Sequence, residues 1–291
     1  MSLKFSGTGV AIITPFHEDN SIDFISLQKV TEHIIKGKAD FIVALGTTGE
    51  SVTLSINEKV SLVERLKEMI NHRVKLVVGI GGYNTQEVLD NIPKFNFDGI
   101  SAVLSVTPYY NKPQQRGMIA HFTQIANQSP VPLILYNVPS RTSVNLTADS
   151  VLCLAEHQNI CAVKEASGCL EQITEIIRHK PEGFSVLSGD DVVTLPLLSL
   201  GADGVISVIA NAFPFEFSQM VRYALNNDFT NARLLHHKLT DIMKTLFEDG
   251  SPSGIKSLLE VMQLSSNNLR LPLAKATDNI QNKFKQLISN F

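Results

Sequence analysis

Lys164 lies in Ile160-Cys161-Ala162-Val163-Lys164-Glu165, a run whose apolar neighbours suit a buried strand. Strand residues alternate faces. Lys164 therefore shares one face with Ala162 and Ala166, and Cys161, Val163 and Glu165 share the other. If the alanine face points inward, two small side chains leave room around the amine. Burying an ammonium among apolar groups is costly and favours the neutral amine, and a neutral lysine amine attacks a ketone to give an imine. The alternatives are a lysine that snorkels from a strand end and one paired with Glu165.

Three further groups suit such chemistry. Tyr136 alternates with Ile134 and Val138; a phenol beside an imine can move protons during addition and dehydration, or it can be a core tyrosine with a satisfied hydroxyl. Thr47-Thr48-Gly49 offers two hydroxyls and backbone N–H groups. Such a turn either holds a carboxylate or is a plain strand-to-helix loop. Arg141 follows Asn137-Val138-Pro139-Ser140 and can clamp a carboxylate bidentately, or serve as an ordinary surface arginine. The eight histidines form no H-x-H or H-E-x-x-H, so no zinc ligand set is apparent, and His236-His237 reads as a solvated pair on a helix. P-loop and G-x-S-x-G patterns are absent. Imine chemistry needs no metal and no cofactor, and none is expected.

These residues must be held by strands. Eight Val- and Ile-rich runs recur, at 9–16, 41–47, 75–81, 99–107, 132–137, 160–165, 184–188 and 204–209. Several are nearly continuous, as strands buried on both faces require. The intervening segments carry helical spacing: Val60, Leu62, Val63, Leu66 and Met69 in one, and Leu170, Ile173, Ile176 and Ile177 in another. Eight such alternations predict an α/β fold, a closed (β/α)8 TIM barrel. An open doubly wound sheet is the rival, but the first run ends in Thr14-Pro15-Phe16 and Gly79-Ile80-Gly81-Gly82 misses the G-x-G-x-x-G spacing. Active sites of such barrels lie at the C-terminal strand ends, where Thr47, Tyr136, Arg141 and Lys164 all fall. Residues 1–227 are expected to form the catalytic barrel. Residues 228–291, with helical stretches near 229–247, 254–262 and 278–289, are expected to form a helical appendage too short for an ordinary domain.

A formal charge of −3 supplies no basic field for nucleic acid, so the substrate must be held by local groups. Three cysteines, with no C-x-x-C, suit a reducing compartment. The N-terminus lacks a signal-peptide pattern, and no run approaches the ~18 apolar residues of a membrane span. A cytoplasmic protein is expected.

Five motifs, taken together, resemble the dihydrodipicolinate synthase family in order and spacing. They are Gly46-Thr47-Thr48-Gly49-Glu50, Thr107-Pro108-Tyr109-Tyr110-Asn111, Tyr136-Asn137-Val138-Pro139-Ser140-Arg141-Thr142, Val163-Lys164-Glu165-Ala166 and Leu187-Ser188-Gly189-Asp190-Asp191. Gly204-Val205-Ile206-Ser207-Val208 and Leu269-Arg270-Leu271-Pro272 extend the likeness along the whole chain. The resemblance implies condensation of pyruvate with aspartate semialdehyde to 4-hydroxy-tetrahydrodipicolinate, a step of diaminopimelate and lysine biosynthesis. It implies that Lys164 forms the imine and that Tyr136, Thr47 and Tyr110 relay protons, with Tyr110 arriving from a neighbouring subunit of a homotetramer built from tight dimers. It further implies that Thr48 and Ile206 bound the pyruvate site, that Arg141 binds the semialdehyde carboxylate, and that Gly189 shapes the pocket floor. N-acetylneuraminate lyase and the keto-deoxy-sugar-acid aldolases are similar in fold, lysine and tyrosine. Thr48 and Arg141 argue for the synthase over these. Many members of the family are inhibited by lysine. Ser51, Glu87 and Tyr109 match the lysine-sensitive pattern, whereas Ile56 and Lys59 replace histidines and Tyr83 replaces an asparagine. Weak or absent lysine inhibition is expected.

Overall fold

The Val- and Ile-rich runs pair as parallel strands because both of their faces are apolar and both must be covered. In the computed structural model, which describes residues 4–289 and 291, the described residues contain eight such strands, in order around a closed barrel. They are β1 (Gly7–Ala11), β2 (Phe41–Ala44), β3 (Lys75–Gly79), β4 (Ala102–Val106), β5 (Leu133–Asn137), β6 (Ile160–Glu165), β7 (Ser185–Ser188) and β8 (Gly204–Ser207). β8 returns to pair with β1, Gly7 opposite Gly204. At that seam a Cβ on Gly204 would sit 2.2 Å from the Gly7 carbonyl oxygen, so closure requires glycine there.

Two apolar layers result. One fills the barrel, with Phe5, Phe41, Val43, Val77, Leu104, Ile134 and Leu187 among its members. Phe5 and Phe41 meet edge to face at 5.2 Å. The other lies between strands and helices and takes the alternate residues, such as Ile42, Val78, Leu135 and Val163. Helices begin where the sequence supplies caps. Asp23 accepts from the N–H groups of Ile25 and Ser26 to start Phe24–Lys36, and Ser55 with Glu58 forms a capping box for Ile56–Ile70.

Several strands are shorter than their apolar runs. β1 begins at Gly7 and ends at Ala11; of residues 12–16, read from sequence as strand, 12–15 are buried coil and Phe16 makes only an isolated antiparallel bridge to Ile22. Apolar character there reflects burial, which strands and covered loops share. A second departure concerns Cys161, expected on the face opposite Lys164. The register of β5 against β6 slips between Leu133 and Ile134, and this irregularity puts Cys161 in the barrel interior together with Ala162. Burial pushes the Cys161 thiol up to about 12, so it is held protonated and inert.

Beyond the barrel, Phe229–Thr245 packs against Pro214–Leu225, and Ser253–Val261 packs against Asp278–Ser289. Every residue from Ser253 to Leu259 is buried. Residues 265–270 cross the first loop of the barrel: Ser266 Oγ and Asn268 Nδ2 donate to the Phe16 carbonyl at 2.9 and 3.1 Å. His236, expected to be solvated, is half-buried with an unpartnered Nδ1, because its side of the Phe229–Thr245 helix turns toward the molecule.

Candidate active site

Lys164 points into the barrel interior at the C-terminal end of β6 and is only 6% exposed, so it does not snorkel to solvent. It stands in register with Tyr136 of β5 on one side and Leu187 of β7 on the other. Its Nζ lies 4.3 Å from the centre of the Tyr136 ring. Lys164 joins none of the ion pairs among the described residues. Glu165, the sequence alternative for a partner, faces outward. Its carboxylate accepts from the Ser167 N–H at 2.8 Å, Asn137 Nδ2 at 3.1 Å and Gln172 Nε2 at 3.3 Å. Burial pushes Glu165 up, and these hydrogen bonds oppose it.

Small residues make space beside the amine. A Cβ on Gly189 would lie 2.7 Å from the Ala166 Cβ and 3.2 Å from Lys164 Cε. Gly189 is therefore where backbone approaches the lysine closely. Ile206 is fully buried in the same interior layer as Tyr136. The end of β8 is pinned by Asp191, whose carboxylate accepts from the N–H groups of Val208 and Ile209 at 3.1 and 2.8 Å. Burial pushes Asp191 up to about 6.

Above this layer opens a cavity of about 320 Å³ lined by Thr47, Tyr136 and Arg141 together with Ser251, Pro252 and Pro272 from the tail. The turn after β2 closes through Gly49 N–H to the Gly46 carbonyl at 3.1 Å and Glu50 N–H to the Thr47 carbonyl at 3.0 Å. The N–H groups of Thr47 and Thr48 stay outside the turn's own backbone bonds, as an anion cradle requires. Thr47 is exposed at the mouth and Thr48 is buried. Arg141 is exposed and donates from Nη2 to the Ser251 carbonyl at 3.2 Å.

The structure thus brings Lys164, Tyr136, Gly189 and Ile206 together in the interior, with Thr47 and Arg141 at the mouth and Thr48 in the intervening turn. Tyr110 is not among the cavity's lining residues: it is 89% exposed, on a loop where its own φ is +69°. Among the described residues no group of three or more His, Cys, Asp or Glu is placed to hold a metal ion, and no helix is long and apolar enough to cross a membrane.

Residues 4–291 match the sequence profile of the Dihydrodipicolinate synthetase family. The chain belongs to that family. It is 48% identical over 272 residues to the 4-hydroxy-tetrahydrodipicolinate synthase of Parabacteroides distasonis, covering 93% of this chain and 92% of that one. The dihydrodipicolinate synthase structure from Aquifex aeolicus superposes with a TM-score of 0.95 at 39% identity, covering 98% of both chains. That from Cyanidioschyzon merolae, solved with lysine bound, gives 0.94 at 35% identity, covering 98% of this chain and 97% of that one.

In this dihydrodipicolinate synthetase family member, sequence reasoning passed over the charged residue buried most deeply beside the site. Lys256 is fully buried and ion-pairs with Glu50, also fully buried, at the end of the Thr47–Thr48 turn. Burial pulls Lys256 down to about 8, and Glu50 opposes the shift. A signal existed: Lys256 is the one charged residue between Ser251 and Leu259, in a helical stretch without a charged face of the kind a solvated helix carries.

Proposed function

We infer that the chain is a 4-hydroxy-tetrahydrodipicolinate synthase, a pyruvate-dependent lyase acting through an imine on Lys164. The observation that carries the site assignment is an enclosed lysine without an acidic partner, seated over the Tyr136 ring at the C-terminal end of a barrel strand. In this reading the Lys164 amine adds to the pyruvate ketone, and loss of water gives the imine. The Thr47–Thr48 turn holds the pyruvate carboxylate, with Ile206 alongside. A methyl proton is then removed to give the enamine, whose carbon attacks the aldehyde of aspartate semialdehyde. Arg141 binds that substrate's carboxylate. Its amino group next attacks the imine carbon, releases Lys164 and closes the six-membered ring. Tyr136, Thr47 and Tyr110 move the protons. Gly189 keeps the floor beneath the amine open.

The exposed Tyr110 supports a homotetramer of tight dimers in which this side chain completes the neighbouring site, since a large exposed aromatic is better accounted for by a partner surface. Residues 228–291 act as part of the barrel's enzyme, and the protein works in the cytoplasm without metal or cofactor. Turnover of pyruvate with aspartate semialdehyde, run beside sialic acid and 2-keto-3-deoxygluconate and repeated after exhaustive EDTA treatment, tests the reading. Pyruvate with borohydride should place a reduced pyruvyl group on Lys164. An adduct on another lysine, or cleavage of either sugar acid in place of condensation, overturns it.

A further inference from the structure

Glu50 and Lys256 are an unusual expenditure of charge. Both side chains are completely removed from water, and the imine chemistry uses neither. Desolvating two charges costs several kcal/mol per ion, and a buried pair is often no more stabilising than apolar packing. Its location is therefore more informative than its strength.

Glu50 ends the turn that carries Thr47 and Thr48. Two non-glycine residues flank that turn in the left-handed region, Leu45 at φ +57° and Glu50 at φ +52°. Such a backbone persists where its surroundings over-determine it. The surroundings here are mostly the C-terminal tail. Lys256 Nζ donates to one Glu50 carboxylate oxygen and, at 2.8 Å, to the Asn268 carbonyl. The other carboxylate oxygen accepts the Arg270 N–H at 3.2 Å. Lys256 Nζ and the Arg270 guanidinium lie 4.3 and 4.5 Å from the centre of the Phe16 ring. On the barrel side, Thr14 Oγ1 donates to the Gly49 carbonyl at 2.7 Å.

We propose that Lys256 is a positioning residue for pyruvate: through Glu50 it holds the Thr47–Thr48 turn so that its free N–H groups and hydroxyls meet the pyruvate carboxylate. The tail is then a working part of the barrel's site. The proposal rests on the reading of Lys164 as the imine lysine and of this turn as the carboxylate cradle. It goes beyond that reading in assigning a function to a group that touches no substrate.

The test uses the full chain as wild type, Lys256→Met, Glu50→Gln and the double variant. Each is checked for folding by circular dichroism, trapped with pyruvate and borohydride, and assayed over both substrates. The single variants leave one buried group without its partner, whereas the double variant leaves no uncompensated charge and is expected to fold as wild type does. In every folded variant the KM for pyruvate should rise tenfold or more. The KM for the semialdehyde should stay within twofold, and the fall in kcat at saturating pyruvate, expected because the same turn carries Thr47, should be smaller than the rise in the pyruvate KM. A folded double variant whose pyruvate KM is within twofold of wild type overturns the proposal, as does a fall in kcat alone. Failure of all three variants to fold overturns it too, since the pair would then serve stability rather than substrate placement. A wild type that forms no pyruvate adduct overturns the imine reading itself, which separates the two failures.

Discussion

Lys164 and Tyr136 stand in direct register across the β5–β6 ladder, with the lysine nitrogen 4.3 Å from the centre of the phenol ring. The contact is made by the ring face, so it survives loss of the hydroxyl. Tyr136→Phe separates the two contributions. Packing beneath the amine is kept, and the trapped pyruvate adduct should still form, more slowly. Steady-state turnover should fall by about 10²–10⁴-fold, the usual range for removing an acid–base group. Turnover within threefold of wild type would remove Tyr136 from the relay.

Arg141 reaches the cavity from the segment after β5 and rests on the Ser251 carbonyl. That neutral acceptor can be exchanged for a carboxylate, which makes the stronger, charge-assisted contact. Arg141→Ala should impair use of the semialdehyde and spare the pyruvate adduct. A charge-assisted contact is worth about 1.5–3 kcal/mol, so kcat/KM for the semialdehyde should fall roughly 10–150-fold. A variant that cannot be trapped with pyruvate would show that Arg141 does something else.

Much of this site is legible in sequence because barrels place chemistry at strand ends and strands alternate. Lys164, Ala162 and Ala166 could be assigned to one face from period two alone, and Tyr136 by the same count. Cys161 could not, because the β5–β6 irregularity breaks the count at that residue. The tail's part in the site was also hidden. Lys256 is 206 residues from Glu50, and no local spacing reports a contact of that range. Likewise, the burial of residues 12–16 reads as strand because apolar composition records burial and not backbone pairing.

His121 supplies a pH dependence independent of catalysis. Its ring packs edge-on against Phe122 at 5.1 Å, its Nδ1 lies 2.9 Å from Thr85 Oγ1, and its Nε2 is buried without a partner. Burial pulls the imidazole down to about 4 from 6.5. The unfolded chain therefore takes up this proton first as pH falls. Stability is fully present above about pH 6.5 and is lost progressively toward pH 4, by on the order of 3 kcal/mol from this group alone. Denaturant unfolding at pH 7 and pH 4.5 should show a smaller loss in His121→Phe than in wild type. Equal losses in the two proteins would mean that His121 is not buried as a neutral ring.

Sensitivity to lysine should be weak. Ser51, Ile56, Lys59 and Tyr109 line the same cavity as Thr47 and Tyr136, so a bound amino acid would lie close to the catalytic groups. Ser51, Glu87 and Tyr109 keep polar atoms able to meet its ends. Lys59, however, is expected from the family resemblance to stand in place of a histidine of the lysine-sensitive pattern. Burial lowers its proton affinity and the charge of Glu87 acts the other way, so a resident cation already stands in the field of Glu87, the acidic group that would attract a ligand's ammonium. Two ammonium groups 4 Å apart repel by about 4 kcal/mol at an effective dielectric of about 20, and salt reduces this. Tyr83, expected from the resemblance to stand in place of an asparagine, packs edge to face on Tyr109 at 5.3 Å and offers no amide. A dose–response at subsaturating pyruvate should therefore show little inhibition at sub-millimolar lysine. Restoring the pattern with Ile56→His, Lys59→His and Tyr83→Asn should introduce it. Half-inhibition of the wild type below 1 mM, a concentration worth about −4 kcal/mol of binding, would show that Lys59 and Tyr83 do not close the site.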